Sequence, residues 1–168
     1  MERENAFEFF GSQTLVGPEL KPGDSAPAFT VYQLNKAIPS SQFAGKPLVI
    51  SVIPSIDTGV CSRQTRHFNE AAAKFGDAVT ILTVSADLPF AQGRWCGAEG
   101  LDGIMIASDH MDMNFGDAYG THVKQFRIES RAVFVVDAAG VLTYVEYVPH
   151  IGHEPNYDAA LAALAMLT

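Results

Sequence analysis

Between Pro47 and Pro54 the chain reads PLVISVIP, a β-branched apolar run without polar alternation, which predicts a short strand buried on both faces and ended by Pro54. The period then changes. Cys61, Thr65, Phe68, Ala72 and Phe75 recur at helical spacing, and Gly76 follows them where a C-terminal cap belongs. AVTILTVSA (78–86) predicts a second buried strand. A short helix is expected around PFAQGRWC (89–96), a weaker strand in GIMIAS (103–108) and a helical turn near FGDAYG (115–120). RAVFVVD (131–137) and VLTYVEYV (141–148) predict a hairpin about Ala138, Ala139 and Gly140, and NYDAALAALAML (156–167) an alanine-rich closing helix. At the other end, AFEFF (6–10) and TLVG (14–17) predict a hairpin around Gly11 and Ser12, and KPGDSAPAF (21–29) marks a connection.

Strands alternating with helices, then a hairpin and a helix, predict a mixed sheet with helices on both faces. The chain has 168 residues, 48% hydrophobic and 18% charged, so we expect one domain, 1–168, able to build its own core. Acidic residues outnumber basic ones 19 to 11, for a net charge of -8, and no basic cluster is present, which argues against nucleic acid as a partner. No stretch reaches the roughly 20 apolar residues of a membrane span, and MERENAFEFF lacks the apolar run of a signal peptide, so the expected compartment is the cytoplasm. Thiols there are kept reduced, which makes the two cysteines, Cys61 and Cys96, catalytic, redox-sensing or inert rather than a permanent crosslink.

Cys61 falls in the first turn of the helix that follows the first core strand. Unpaired N–H groups and the helix dipole favour a thiolate there. The spacing serves equally well for a small apolar residue on the buried stripe with Phe68 and Ala72. Thr58, three residues earlier, is placed to turn its hydroxyl toward the sulfur, and Pro54 stands four residues before that.

Pro54-x-x-x-Thr58-x-x-Cys61 resembles the active-site signature of peroxiredoxins. PSID-T, QTRHFN, DLPFAQ with RWC, AEGL, RAVFVVD, YVEYVP and EPNY-AAL extend the likeness over nearly the whole chain, to the thiol peroxidase branch of atypical two-cysteine peroxiredoxins. The resemblance implies a thioredoxin-like α/β fold and reduction of hydrogen peroxide and alkyl hydroperoxides without a cofactor. It implies Cys61 as the peroxidatic cysteine, Cys96 as the resolving one, Thr58 and Arg131 as the activating pair, and Pro54 as a wall of the substrate pocket. Thioredoxin as reductant and a homodimer are implied as well.

The chemistry sets its own demands. A cysteine of pKa about 8.5 is roughly 3% thiolate at neutral pH, so full ionisation gains about thirtyfold, or about 2 kcal/mol. Enzymes commonly need about 8 kcal/mol or more, so donors must also stabilise charge on the departing oxygen. Arg131 is the candidate, although a charge just before an apolar strand is often simply solvated. Attack leaves a sulfenic acid, which a second thiol converts to a disulfide. Cys96 lies 35 positions from Cys61, so closing that bond is expected to require local unfolding, eased by Gly93 inside the helical segment. Gly59 stands where this family has proline and predicts a looser first turn. Asp57 would raise the sulfur pKa if it faced the thiolate. His110, Asp112, His150 and His153 match no metal-ligand spacing, so no metal site is expected.

Overall fold

The computed structural model of the chain describes residues 1–34 and 36–168. Its elements are β1 (Glu2–Glu8), β2 (Ser12–Val16), β3 (Thr30–Gln33), β4 (Lys36–Pro39), β5 (Leu48–Val52), α1 (Gly59–Phe75), β6 (Thr80–Ser85) and α2 (Pro89–Glu99). There follow β7 (Met105–Ser108), α3 (Asn114–Tyr119), β8 (His122–Val123), β9 (Ile128–Glu129), β10 (Arg131–Val136), β11 (Leu142–Val148) and α4 (Tyr157–Ala165). Seven strands form one mixed sheet in the order β11-β10-β5-β6-β7-β3-β4, with β5, β6 and β7 parallel and β10 antiparallel to β5. A second sheet, β1-β2-β8-β9, carries the N-terminal hairpin. This is the thioredoxin-like α/β arrangement.

Strand pleating divides the apolar run of β5 between two cores. Ile50 and Val52 face Leu82, Val84, Phe134, and Phe115 and Tyr119 of α3, whereas Val49 faces Phe68 and Ala72 of α1 and Ala160 and Leu164 of α4. Both faces are therefore covered, which explains why β5 shows no polar alternation. Each such side chain, fully buried, contributes on the order of 2 kcal/mol before the entropy cost of ordering it. The α1 face of the sheet also has a polar end. Ser51, Thr83 and Arg131 point the same way as Val49, Ile81 and Val133, and all three are buried. That end builds the site.

Most predicted strands and helices occur close to their expected limits, although the first strand of the N-terminal hairpin runs Glu2–Glu8 and not 6–10, and Gly76 caps α1, donating its N–H to the Ala72 carbonyl. The sequence pattern assigns no strand to 30–39, where β3 and β4 form the sheet edge. Each has only four residues, and β3 meets β7 through a single residue pair, Tyr32 opposite Ser108, too little pattern to detect. The two-residue strands β8 and β9 escape the pattern for the same reason. No helix among the described residues is long and apolar enough to cross a membrane.

Candidate active site

The loop from Ile53 to Thr58 joins β5 to α1 and is fixed from outside by Asp87, just beyond β6. Its carboxylate accepts Ser55 Oγ at 2.9 Å, the Ile56 amide at 2.9 Å and Ser85 Oγ at 2.6 Å. Thr58, held by this loop, is the N-cap of α1, and its Oγ1 accepts the Cys61 amide at 3.3 Å. The hydroxyl thus engages the Cys61 backbone, satisfying one free N–H of the first turn. Cys61 is fully buried against Ile53, Ile56, Ala91 and Trp95. Pro54, in the preceding loop, is buried, Asp57 is exposed, and Gly59 is the first residue of the helix.

Arg131 begins β10 and has no exposed surface. Its Nη2 donates to Cys61 Sγ at 3.3 Å and to the Ile151 carbonyl at 2.7 Å, while Nη1 donates to Gln64 Oε1 at 2.9 Å. Gln64 lies within α1 and donates Nε2 to Ser51 Oγ at 2.9 Å, which fixes its amide with the oxygen toward the arginine. A buried guanidinium needs a compensating charge or dipoles, and among its described partners only the Cys61 sulfur can become anionic.

Cys96 sits on α2, half-buried, with Sγ 3.7 Å from the Leu101 carbonyl. Burial, and secondarily Asp102, push its thiol above the ordinary cysteine value. Ala91 and Trp95, four residues apart, form the α2 face packed at Cys61, whereas Pro89, Gln92, Gly93 and Cys96 line a cleft of about 260 Å³ against β7. Cys96 thus points away from Cys61, and both thiols are free.

With this geometry in place, three comparisons agree. The Redoxin family pattern matches residues 21–161. The thiol peroxidase of Bacillus subtilis is 52% identical over 160 residues, covering 94% of each chain, and that of Streptococcus parasanguinis is 49% identical over 157 residues, covering 92% of this chain and 94% of the relative. This chain belongs to the redoxin family, in its thiol peroxidase branch. The same fold is found in a peroxiredoxin-like protein from Aquifex aeolicus, with a TM-score of 0.86, 37% identity and 94% coverage of both chains. The thiol peroxidase of Chromobacterium violaceum superposes with a TM-score of 0.81 at 19% identity, over 92% of this chain and 91% of that one, a likeness of fold alone.

As a redoxin the protein is a peroxiredoxin-type peroxidase, and its residues divide clearly in space. Thr58, Cys61 and Arg131 are joined by hydrogen bonds, Pro54 is buried in the loop that leads to Thr58, and Cys96 is kept on another side of α2. Arg131, expected beside Cys61 from the resemblance, is buried there and not solvated as a charge before an apolar strand often is. Gln64, the Ile151 carbonyl and Asp87 were not singled out from the sequence. Gln64 offered one usable signal: it is a polar residue directly beside the buried helical stripe.

Proposed function

We propose that Cys61 is the nucleophile of a thiol peroxidase, and the observation that carries this reading is the buried Arg131 Nη2 donating to Cys61 Sγ at 3.3 Å. The thiolate attacks the terminal oxygen of a hydroperoxide, the O–O bond breaks, and Cys61 becomes a sulfenic acid while the other oxygen leaves as hydroxide or alkoxide and takes up a proton. Arg131 stabilises the charge that develops on those oxygens, and Thr58 and the first-turn amides hold the sulfur in line. Pro54 walls the pocket. Hydrogen peroxide and alkyl hydroperoxides are the proposed substrates, with the apolar side chains of Ile56, Ala91 and Trp95 nearby to receive an alkyl group.

Cys96 then resolves the sulfenic acid: its sulfur displaces water, giving an intramolecular disulfide. Its orientation away from Cys61 supports an obligatory unwinding of α2 between the two steps. Thioredoxin returns both thiols by disulfide exchange. Residues 1–168 act in this reading as one domain, in the cytoplasm, as a homodimer. The test is loss of peroxide with reduced thioredoxin supplied. Wild type is expected to turn over and Cys61→Ser to be inert, since a serine hydroxyl stays protonated; residual turnover in the variant would remove Cys61 from this role.

A further inference from the structure

Two positions before Arg131 stands a buried acid that the peroxide chemistry does not use. Glu129 has no exposed surface; one carboxyl oxygen accepts Thr121 Oγ1 at 2.5 Å, and the other, Oε1, has no conventional donor among the described residues. Asp109, 1% exposed, accepts the Phe115 and Gly116 amides at 3.0 and 2.8 Å. The two acids meet at Gly116, where a Cβ would stand 2.9 and 3.0 Å from the two oxygens of Glu129. Two neighbouring carboxyl groups in a dry site cannot both ionise, and an unpaired carboxylate oxygen there is costly. A proton on Glu129 Oε1, donated to Asp109, removes one charge and satisfies the orphan oxygen. Burial first, and Asp109 next, hold Glu129 well above the ordinary carboxyl range, and burial also raises Asp109.

The remaining charged groups around the pair favour the same state. Asp117 and Asp112 add negative charge, on Glu129 and Asp109 respectively. His122, opposite Glu129 across β8 and β9, is bonded to Asp117 at 2.7 Å, Arg127 reaches the His110 and Met111 carbonyls, and Arg131 reaches Cys61. No cation among the described residues pairs with Glu129.

Thr121 links this acid to the site. Its hydroxyl grips Glu129, and its carbonyl accepts the amide of Ser130, the residue before Arg131, at 2.7 Å. Arg131 Nε is buried without a partner among the described residues, so the guanidinium is placed by its two terminal nitrogens and by the backbone entering β10.

We propose that Asp109 and Glu129 share one proton at neutral pH, and that this pair is a positioning device for Arg131, which loosens when alkali removes the proton. The positioning role rests on the reading of Arg131 given above; the shared proton does not. An acid whose pKa is raised by folding stabilises the fold below its unfolded value and loses that contribution as pH rises through the folded value. The peroxide rate should accordingly fall in alkali, opposite to the gain expected from thiol ionisation.

Three readouts on Glu129→Gln, which keeps shape and a donor but cannot ionise, test this. Infrared spectra of wild type at neutral pH should contain a protonated-carboxyl band that is lost in the variant and lost from wild type in alkali. Above the ordinary carboxyl range the unfolding constant of wild type should rise by up to about tenfold per pH unit relative to the variant. The second-order rate with peroxide should be within about twofold of wild type at neutral pH but escape the alkaline decline. Absence of the neutral-pH band overturns the shared proton. An unchanged alkaline decline in Glu129→Gln overturns the positioning role. If the variant does not fold, infrared and rate titrations of wild type must change together, and divergent midpoints overturn the proposal. A protein inert to peroxide at every pH would count against the peroxidase reading and leave the infrared and unfolding tests standing.

Discussion

At Cys61, ionisation and acceleration are separate tasks. In the proposed reaction complete ionisation of the thiol would account for only about 2 kcal/mol, so Arg131, bonded to Cys61 Sγ, is assigned a second task on the oxygens of the transition state. Arg131→Met should therefore cost at least about tenfold in the second-order rate with peroxide even at a pH where Cys61 is fully ionised. An effect that vanishes at high pH would restrict the arginine to tuning the thiol. The position of Cys61 in the first helical turn was legible from the helical period and the prolines and threonine before it. The burial of Arg131 was not, because a charge preceding an apolar strand reads as solvated unless its partners, Gln64 and the Ile151 carbonyl, are known. Those partners are 67 and 20 residues away and carry no local signal.

Among the elements, α2 is the one the proposed cycle requires to open. It has no side-chain N-cap, contains Gly93 and Gly97, and ends on Gly100 in a left-handed conformation. Burial raises the Cys96 thiol above its ordinary value in the closed form, and in the proposed cycle unwinding would both bring the sulfur within reach and relieve that burial. Among the described residues a Cβ at Gly93 meets nothing within 4 Å, so Gly93→Ala should stabilise the closed helix by up to about 1 kcal/mol and slow disulfide closure by up to about fivefold. Trp95, packed beside Cys61 and adjacent to Cys96, reports the event: its fluorescence should change with disulfide closure and not with the preceding peroxide attack. Stopped-flow traces of Cys96→Ser decide this, since the full signal in that variant would tie Trp95 to Cys61 oxidation and remove the support for unwinding. The sequence disclosed the glycines and the existence of the helix; which face carries Cys96 depends on how α2 packs on β7, and that is set by tertiary contacts.

Over the whole molecule, the order β10-β5-β6 gathers the chemistry, because it sets the start of β10 beside the ends of β5 and β6 and their following loops. The mixed sheet and its helices were legible from period alone, while the edge strand β4 and its neighbour β3 were too short to register. Asp87 ties the β6–α2 connection to the loop that delivers Thr58, through bonds to Ser55, Ile56 and Ser85. Asp87→Ala leaves those donors unpaired and should lower stability by about 1–3 kcal/mol, seen as a reduced thermal midpoint, with the peroxide rate falling in parallel. A variant with normal stability and rate would show that the loop holds itself. The central claim, that Cys61 reacts with peroxide and Cys96 closes the cycle within one chain, is tested most directly by adding one equivalent of peroxide to the fully reduced protein without a reductant and mapping the product by mass spectrometry. The account predicts complete consumption of peroxide and an intrachain Cys61–Cys96 disulfide with the loss of two hydrogens. Unconsumed peroxide, or a Cys61–Cys61 crosslink between chains as the main product, would contradict it.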